Sequence, residues 1–350
     1  MSTIKGPGAP GKAGLMLKLA LAYAPESVVA LALTGRRKQV DGRLMDPKAQ
    51  ALGALFNAVR VPGEVPALEE SRRSLHVLAS KFDRPNPPGV TRQALTLPGA
   101  AGDLPARLYD TRPQEPDRAT LLFVHGGGWV QGDLETHDGL CGQLALEAGI
   151  RVIALEYRLA PEHPFPAAPD DVLAAWHALA NGAAGVNPDR LAVGGDSAGG
   201  NLTAVLMHDL AEAGRPLPRA QLLIYPAVDA AMNTRSMAAL KDAYVLPRDR
   251  IEWYLDQYLP SGTDRADPRV SPILSPHLAA QPPAHVIVAG HDPLWDDGLN
   301  HAKALQDAGV SVEVARFPGQ VHAFVSARRA IPQGVQAVTG ASAWLRRQLA

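Results

Sequence analysis

The chain has a single cysteine in 350 residues. An intrachain disulfide is therefore impossible, and the fold does not depend on an oxidising compartment. Charge of one sign is also lacking, since 34 Lys and Arg stand against 35 Asp and Glu. Such a balance gives no overall electrostatic case for nucleic acid or an acidic surface as partner. A bilayer-spanning apolar run is missing as well. Leu15 to Leu33 comes nearest, but Lys18, Pro25 and Glu26 interrupt it, and a span wants about 20 predominantly apolar residues. There are no internal repeats and no long low-complexity tract. What remains is a chain with 46% hydrophobic residues, enough for one large core in one or two domains.

The most informative stretch is Gly195-Asp196-Ser197-Ala198-Gly199, which fits G-x-S-x-G. A short apolar strand, Leu191 to Gly194, precedes it, and a helical segment from Gly200 to His208 follows. A serine on a sharp strand-to-helix turn is lifted clear of the sheet with its hydroxyl exposed. The helix behind it favours developing negative charge. A second motif, His125-Gly126-Gly127-Gly128-Trp129, ends the apolar run Thr120 to Val124. Consecutive glycines there let backbone N–H groups turn toward one point, as an oxyanion hole requires. Ala198 would add a further N–H. No Lys-Ser/Thr pair follows the glycines, which argues against a P-loop. The G-x-G-x-x-G spacing of a dinucleotide site is absent too.

A nucleophilic serine needs a base, and the base an orienting acid. On this kind of sheet they follow the serine in the order acid, then histidine, each after a late strand. The strand Ala284 to Gly290 ends at His291-Asp292-Pro293, and the strand Val310 to Phe317 runs into Gly319 to Phe324. Asp292 is thus the expected acid and His322 the expected base. Asp296 and Asp297 lie close by, but at the start of a helix, where first-turn charge explains them. His285 is expected to pack inside its strand. His163 is expected to be structural, because its neighbours are. Cys141 sits in an apparent helix, Asp138 to Ala148, and is no candidate nucleophile. His291, Asp292, Asp296, Asp297 and His301 cluster in sequence without a familiar metal-ligand spacing, so no metal is expected.

Strands read at 93–97, 105–109, 120–124, 150–155, 191–194, 221–225, 284–289 and 310–316, most of them separated by helical segments. That alternation predicts an α/β fold with a mostly parallel eight-stranded sheet covered on both faces. The first two strands are joined by a glycine-rich turn and read as an antiparallel edge hairpin. Tyr157 to Ala168 holds three prolines and must run as a rigid loop, with an internal Arg158–Glu162 ion pair expected to fix it.

In that order, His125 to Trp129, Tyr157 to Ala168, Gly195 to Leu202, Asp292-Pro293-Leu294 and Gly319 to Phe324 resemble the motifs of the hormone-sensitive-lipase-like carboxylesterases. The resemblance covers roughly residues 45 to 350. It implies the α/β-hydrolase fold, with Ser197 as nucleophile, His322 as base, Asp292 as acid, and Gly127, Gly128 and Ala198 as oxyanion donors. Trp129, Tyr225 and Phe324 are the candidate substrate-binding side chains. It implies a helical cap in which residues 1–85, as extension and cap helices, meet 229–278. Residues 86–350 then form the catalytic domain. The implied substrate is a small-molecule monoester with a short to medium acyl chain. No cofactor is needed, and a homodimer is allowed. An amidase or small-molecule deacetylase would use the same triad, whereas a ligand-binding protein of this fold would usually have lost the base. Asp297 departs from the Glu usual in relatives.

Residues before Met45 extend beyond the family's usual start. Residues 1–14, rich in Gly, Pro and Lys, read as disordered. Lys5, Lys12 and the small-x-small run Ala22-Tyr23-Ala24 raise the question of a signal peptide, but Lys18 breaks its apolar core and Pro25 would follow the cut. The expectation is short amphipathic cap helices in a cytoplasmic enzyme, with export by an atypical signal as the alternative.

Overall fold

The computed structural model describes residues 12–60, 66–115 and 117–350. Most of the N-terminal stretch expected to be disordered lies outside these. The chain begins with helices α1 (Lys12–Tyr23) and α2 (Glu26–Ala32), then a two-stranded ribbon, β1 (Gln39–Val40) and β2 (Arg43–Leu44). Helices α3 (Pro47–Val59) and α4 (Leu68–Phe82) follow. Asp46 caps α3, its side chain accepting from the Lys48 and Ala49 amides while Pro47 occupies the first turn, a position that lacks an intrahelical acceptor anyway.

The main sheet then starts with β3 (Thr91–Gly99) and β4 (Gly102–Asp110), paired antiparallel as expected from the turn between them. Next come β5 (Thr120–Val124), α5 (Asp138–Ala148), β6 (Arg151–Leu155), α6 (Ala167–Ala180), β7 (Leu191–Asp196) and α7 (Ala198–Glu212). The remainder is β8 (Gln221–Ile224), α8 (Arg235–Ala239), α9 (Arg248–Tyr258), β9 (Ala284–His291), α10 (Trp295–Asp307), β10 (Val312–Val321) and α11 (Pro332–Gln348). The eight strands run in the order β10-β9-β8-β7-β5-β6-β4-β3. From β6 to β10 every neighbouring pair is parallel.

Alternation along the central strands fills two cores. Leu121 and Phe123 of β5 join a cluster with residues of α5 and α11, whereas Leu122 and Val124 join one with residues of α6 and α7. A strand buried on both faces reads as a continuous apolar run, which is why β5 and β6 are legible as Thr-Leu-Leu-Phe-Val and Arg-Val-Ile-Ala-Leu. From β5 the chain crosses first to β6 on one side and then to β7 on the other. The crevice at such a switch point, outside the carboxyl ends of the strands, is where open α/β sheets place their sites. The glycine loop leaves β5 there and the G-x-S-x-G turn leaves β7, with Val124 in register with Gly195.

The loop from Tyr157 is held differently from the sequence-based expectation. Arg158 pairs with Asp171 of α6 at 2.8 Å, and Glu162 pairs with Arg72 of α4 at 2.7 Å. Asp171 is fully buried, and a buried carboxylate claims the nearest cation. The loop is thus tied outward to two helices rather than closed on itself. Helix α6 begins at Ala167, directly after the last proline of the loop.

Candidate active site

Ser197 occupies the N-cap position of α7 with φ 55° and ψ −117°. A non-glycine residue in that region is strained and persists only where its surroundings over-determine it. Here the Ser197 amide donates to Ile224 O at 2.8 Å, and its carbonyl accepts from Asn201 N at 3.0 Å. The turn is tight enough that a Cβ on Gly199 would lie 2.0 Å from Val124 O.

Asp292 follows β9 and His322 follows β10. His322 Nε2 lies 3.0 Å from Ser197 Oγ, and its Nδ1 lies 2.6 Å from Asp292 Oδ2. Asp292 is fully buried, with its other oxygen accepting from Leu294 N at 3.0 Å. Ser197, His322 and Asp292, expected together from the sequence, form one hydrogen-bonded line. The neighbouring carboxylates lie elsewhere. Asp296 Oδ2 accepts from the amide of Ser236, whose hydroxyl in turn donates to Pro293 O and accepts from Asp296 N. Ser236 therefore staples the start of α8 to the loop that carries Asp292.

Asp297 is buried beside the Val228–Asp229 backbone. Burial first, and then the nearby Asp229 and Asp292, push its carboxyl well above the ordinary 3.8. A carboxyl whose folded pKa is raised adds its stability at low pH and loses it as pH rises. Asp297→Asn is therefore expected to match the native protein near pH 4 and to be more stable by pH 7–8, by about 2 °C or more in Tm. A Tm difference that shrinks as pH rises would contradict this.

The glycine loop, 125–129, has its own supports. Asp196 Oδ1 accepts from Gly126 N at 2.8 Å and lies 3.2 Å from His137 Nε2. Both side chains are buried. Burial opposes charge on each, but their attraction and shared hydrogen bond prevail, so Asp196 titrates below its ordinary value and His137 above its own. Tyr157 Oη donates to His125 O at 2.9 Å, and its ring stacks on the His125 imidazole. That imidazole, enclosed and next to His137, is held down to about 4 and so is neutral at pH 7.

Gln131 links this loop to two distant helices. Its Oε1 accepts from Ser71 Oγ of α4 at 2.5 Å, and its Nε2 donates to Tyr254 Oη of α9 at 2.8 Å. The Tyr254 ring covers Gly128 so closely that a Cβ there would meet it at 2.3 Å. Gln131→Leu removes both bonds and leaves the buried Ser71 hydroxyl and the half-buried Tyr254 hydroxyl without that partner. It is expected to lower kcat/KM about tenfold, the equivalent of roughly one such bond, while Ser197 remains reactive toward a small organophosphate. An unchanged kcat/KM would show that the loop does not need this link.

The other sequence candidates have definite places. Trp129, at φ 60°, stacks on Tyr258 with centroids 4.6 Å apart. Tyr225 packs under the His322 ring at 4.6 Å, and Phe324 packs behind Tyr225; neither ring has exposed surface. His285 stacks on Trp344 inside the core. His163 is exposed and borders a cleft with Arg72, His76 and Glu162.

Residues 43–46 were not singled out from the sequence, yet they clip both late loops. Arg43 Nε donates to Gly290 O at 2.9 Å, two residues before Asp292. Asp46 N donates to Gly319 O at 2.8 Å, three residues before His322.

The model of an α/β-hydrolase-fold family matches residues 121–326. A protein of Mycobacterium tuberculosis named carboxylic ester hydrolase LipN is 40% identical over 87% of this chain and 84% of its own length. An ethyl acetate hydrolase of Pseudomonas putida is 41% identical over 80% of this chain and 92% of its own. Among solved structures, an ester hydrolase from the metagenome of Lake Arreo, complexed with a bipyridine phosphonate derivative, superposes with a TM-score of 0.82. It is 35% identical, and the match covers 87% of this chain and 98% of that one. The thermostable carboxylesterase EstE1, from a metagenomic library, gives 0.76 at 35% identity, covering 81% and 98%. The chain belongs to the α/β-hydrolase family, in its hormone-sensitive-lipase-like carboxylesterase branch.

Proposed function

We propose that this protein is a serine carboxylesterase acting on small monoesters with short to medium acyl chains. The observation that carries the reading is the Asp292–His322–Ser197 line, 2.6 and 3.0 Å in its two links. In the first half-reaction His322 Nε2 takes the Ser197 proton as Oγ attacks the ester carbonyl. The amides of Gly127, Gly128 and Ala198 receive the oxyanion, and Asp292 holds the imidazole in the tautomer with the proton on Nδ1. The alcohol departs with the proton from His322, leaving an acyl-Ser197. Water then attacks the acyl group with His322 again as base, and Ser197 recovers its proton.

The cap in this reading is built from α3, α4 and the 229–278 segment with α9. Ser71 and Tyr254 meet there on Gln131, and Tyr244 packs against Gly53 of α3. Trp129 lies at its inner edge, while Tyr225 and Phe324 brace the base from the core side. A retained N-terminus and a cytoplasmic location belong to the same reading. Buried Ala22 packs in the core cluster with residues of α3, and Lys48 Nζ donates to Ala22 O and Ala24 O, so cleavage after Ala24 would strip away packed structure. Among the described residues, no helix is long and apolar enough to cross a membrane.

The test is a panel of p-nitrophenyl esters of graded chain length set beside matched amides. Turnover that peaks at short to medium esters, with amides far slower, is expected. A preference for amides, or no turnover of any ester by a folded protein, would overturn the reading.

A further inference from the structure

The outer faces of α1 and α2 carry a concentration of exposed apolar side chains. Nine large hydrophobic residues stand exposed among those described, and five lie between residues 16 and 31: Met16, Leu17, Tyr23, Val28 and Leu31. Leu31 is 78% exposed and Met16 70%. On α1, Met16, Leu17 and Ala20 stand exposed, while Tyr23, half-exposed, stacks on Phe82 and donates to Lys81 O. Leu15, Leu19 and Ala22 turn the opposite side to the core. Val29 is the buried anchor of α2. Scattered surface leucines need no explanation, but a contiguous stretch of chain that exposes them does.

The charge around these residues points to what covers them. Residues 1–44 contain seven Lys and Arg (Lys5, Lys12, Lys18, Arg36, Arg37, Lys38, Arg43) and only Glu26 and Asp41 as acids. The whole chain is balanced at 34 to 35, so the basic excess is local and the rest of the protein is acidic. Among the described residues, Lys18 and Arg36 make no salt bridge to a carboxylate, while Arg37 donates to Met45 O and Lys38 lies over the Tyr244 ring, neither meeting a carboxylate. Short helices with an exposed apolar side, flanked by unneutralised cations, match the chemistry of an anionic lipid interface: acyl boundary for the apolar groups, phosphate for the bases. Neither helix is long enough to span.

We propose that α1 and α2 dock this protein peripherally on the surface of an anionic lipid bilayer. The docking element leads directly into β2 and Asp46, which hold the loops of the acid and the base, so it lies on the chain that supports the catalytic end of the sheet. The overall charge balance hides this local surface, which explains why composition alone argues against it.

The experiment is co-sedimentation of the full chain with vesicles of phosphatidylcholine containing about 30 mol% phosphatidylglycerol, beside pure phosphatidylcholine. Binding to the anionic vesicles, weakened by salt, is expected. Leu17→Glu with Leu31→Glu should lower that binding about tenfold or more. Lys18→Glu with Arg36→Glu should do so too, without touching the apolar contacts. Thermal unfolding and circular dichroism establish that both variants are folded. Absent or equal binding to the two vesicle types would overturn the proposal, as would full binding by either folded variant. A concentration-dependent dimer that Leu17→Glu with Leu31→Glu dissociates, without vesicle binding, would assign the face to a second copy of the chain instead.

Discussion

Ser197→Ala is expected to reduce kcat for a p-nitrophenyl ester by about 10⁴-fold or more, with the fold intact. Removing a triad nucleophile leaves only the contribution of binding and the oxyanion donors, and losses of that order follow. The position makes the variant structurally mild. Ser197 lies at the surface of the sheet's carboxyl edge, is only partly buried, and is held through its backbone to Ile224 and Asn201. Its hydroxyl bonds His322 Nε2 at 3.0 Å. Alanine tolerates the strained turn no worse than serine does. Tm should therefore stay within a few degrees while labelling by a phosphonate disappears. Native-like turnover from a folded Ser197→Ala protein would remove the proposed mechanism.

Asp292→Asn is expected to cost about 10⁴-fold in kcat, because an amide at that place favours the wrong imidazole tautomer. Asp296→Asn and Asp297→Asn should stay within about tenfold, since Asp296 is engaged with Ser236 and Asp297 faces the Val228–Asp229 backbone. The three variants form one comparison in kcat. A larger loss at Asp296 or Asp297 than at Asp292 would mean that the acid had been misassigned. Restored activity of Asp292→Asn at high pH, without restored affinity for substrate, would separate its effect on the base from any general loosening of the loop.

The parts legible in the sequence are those whose physics is local. A doubly buried strand is an apolar run, a nucleophile turn is a fixed set of small residues around a serine, and the triad follows strand ends in chain order. All eight strands of the main sheet, the antiparallel edge pair and the Asp292–His322–Ser197 line were within reach on those grounds. The supports were not. Gly126 and Asp196 are 70 residues apart, Ser71 and Gln131 60, Gln131 and Tyr254 123. A polar partner at such a distance leaves no pattern near either residue. Arg158 and Glu162 show the converse error. Their spacing invites a local pair, but each meets a stronger demand from a helix packed against the loop.

The clip formed by residues 43–46 bears on when the enzyme becomes active during folding. Arg43 and Gly290 are 247 residues apart, and Asp46 meets Gly319 across a still longer stretch of chain. The entropy of closing a loop grows with its length, and non-local contacts of this kind form late. The nucleophile turn, by contrast, is assembled from β7, α7 and β8, which are neighbours in sequence and in space. A chain still emerging from the ribosome thus forms the Ser197 turn well before it can anchor the loops of Asp292 and His322. Catalysis is in this sense a signal of completion. In refolding, ester turnover should return after bulk helical signal, and incomplete chains should carry a reactive-site scaffold that hydrolyses nothing.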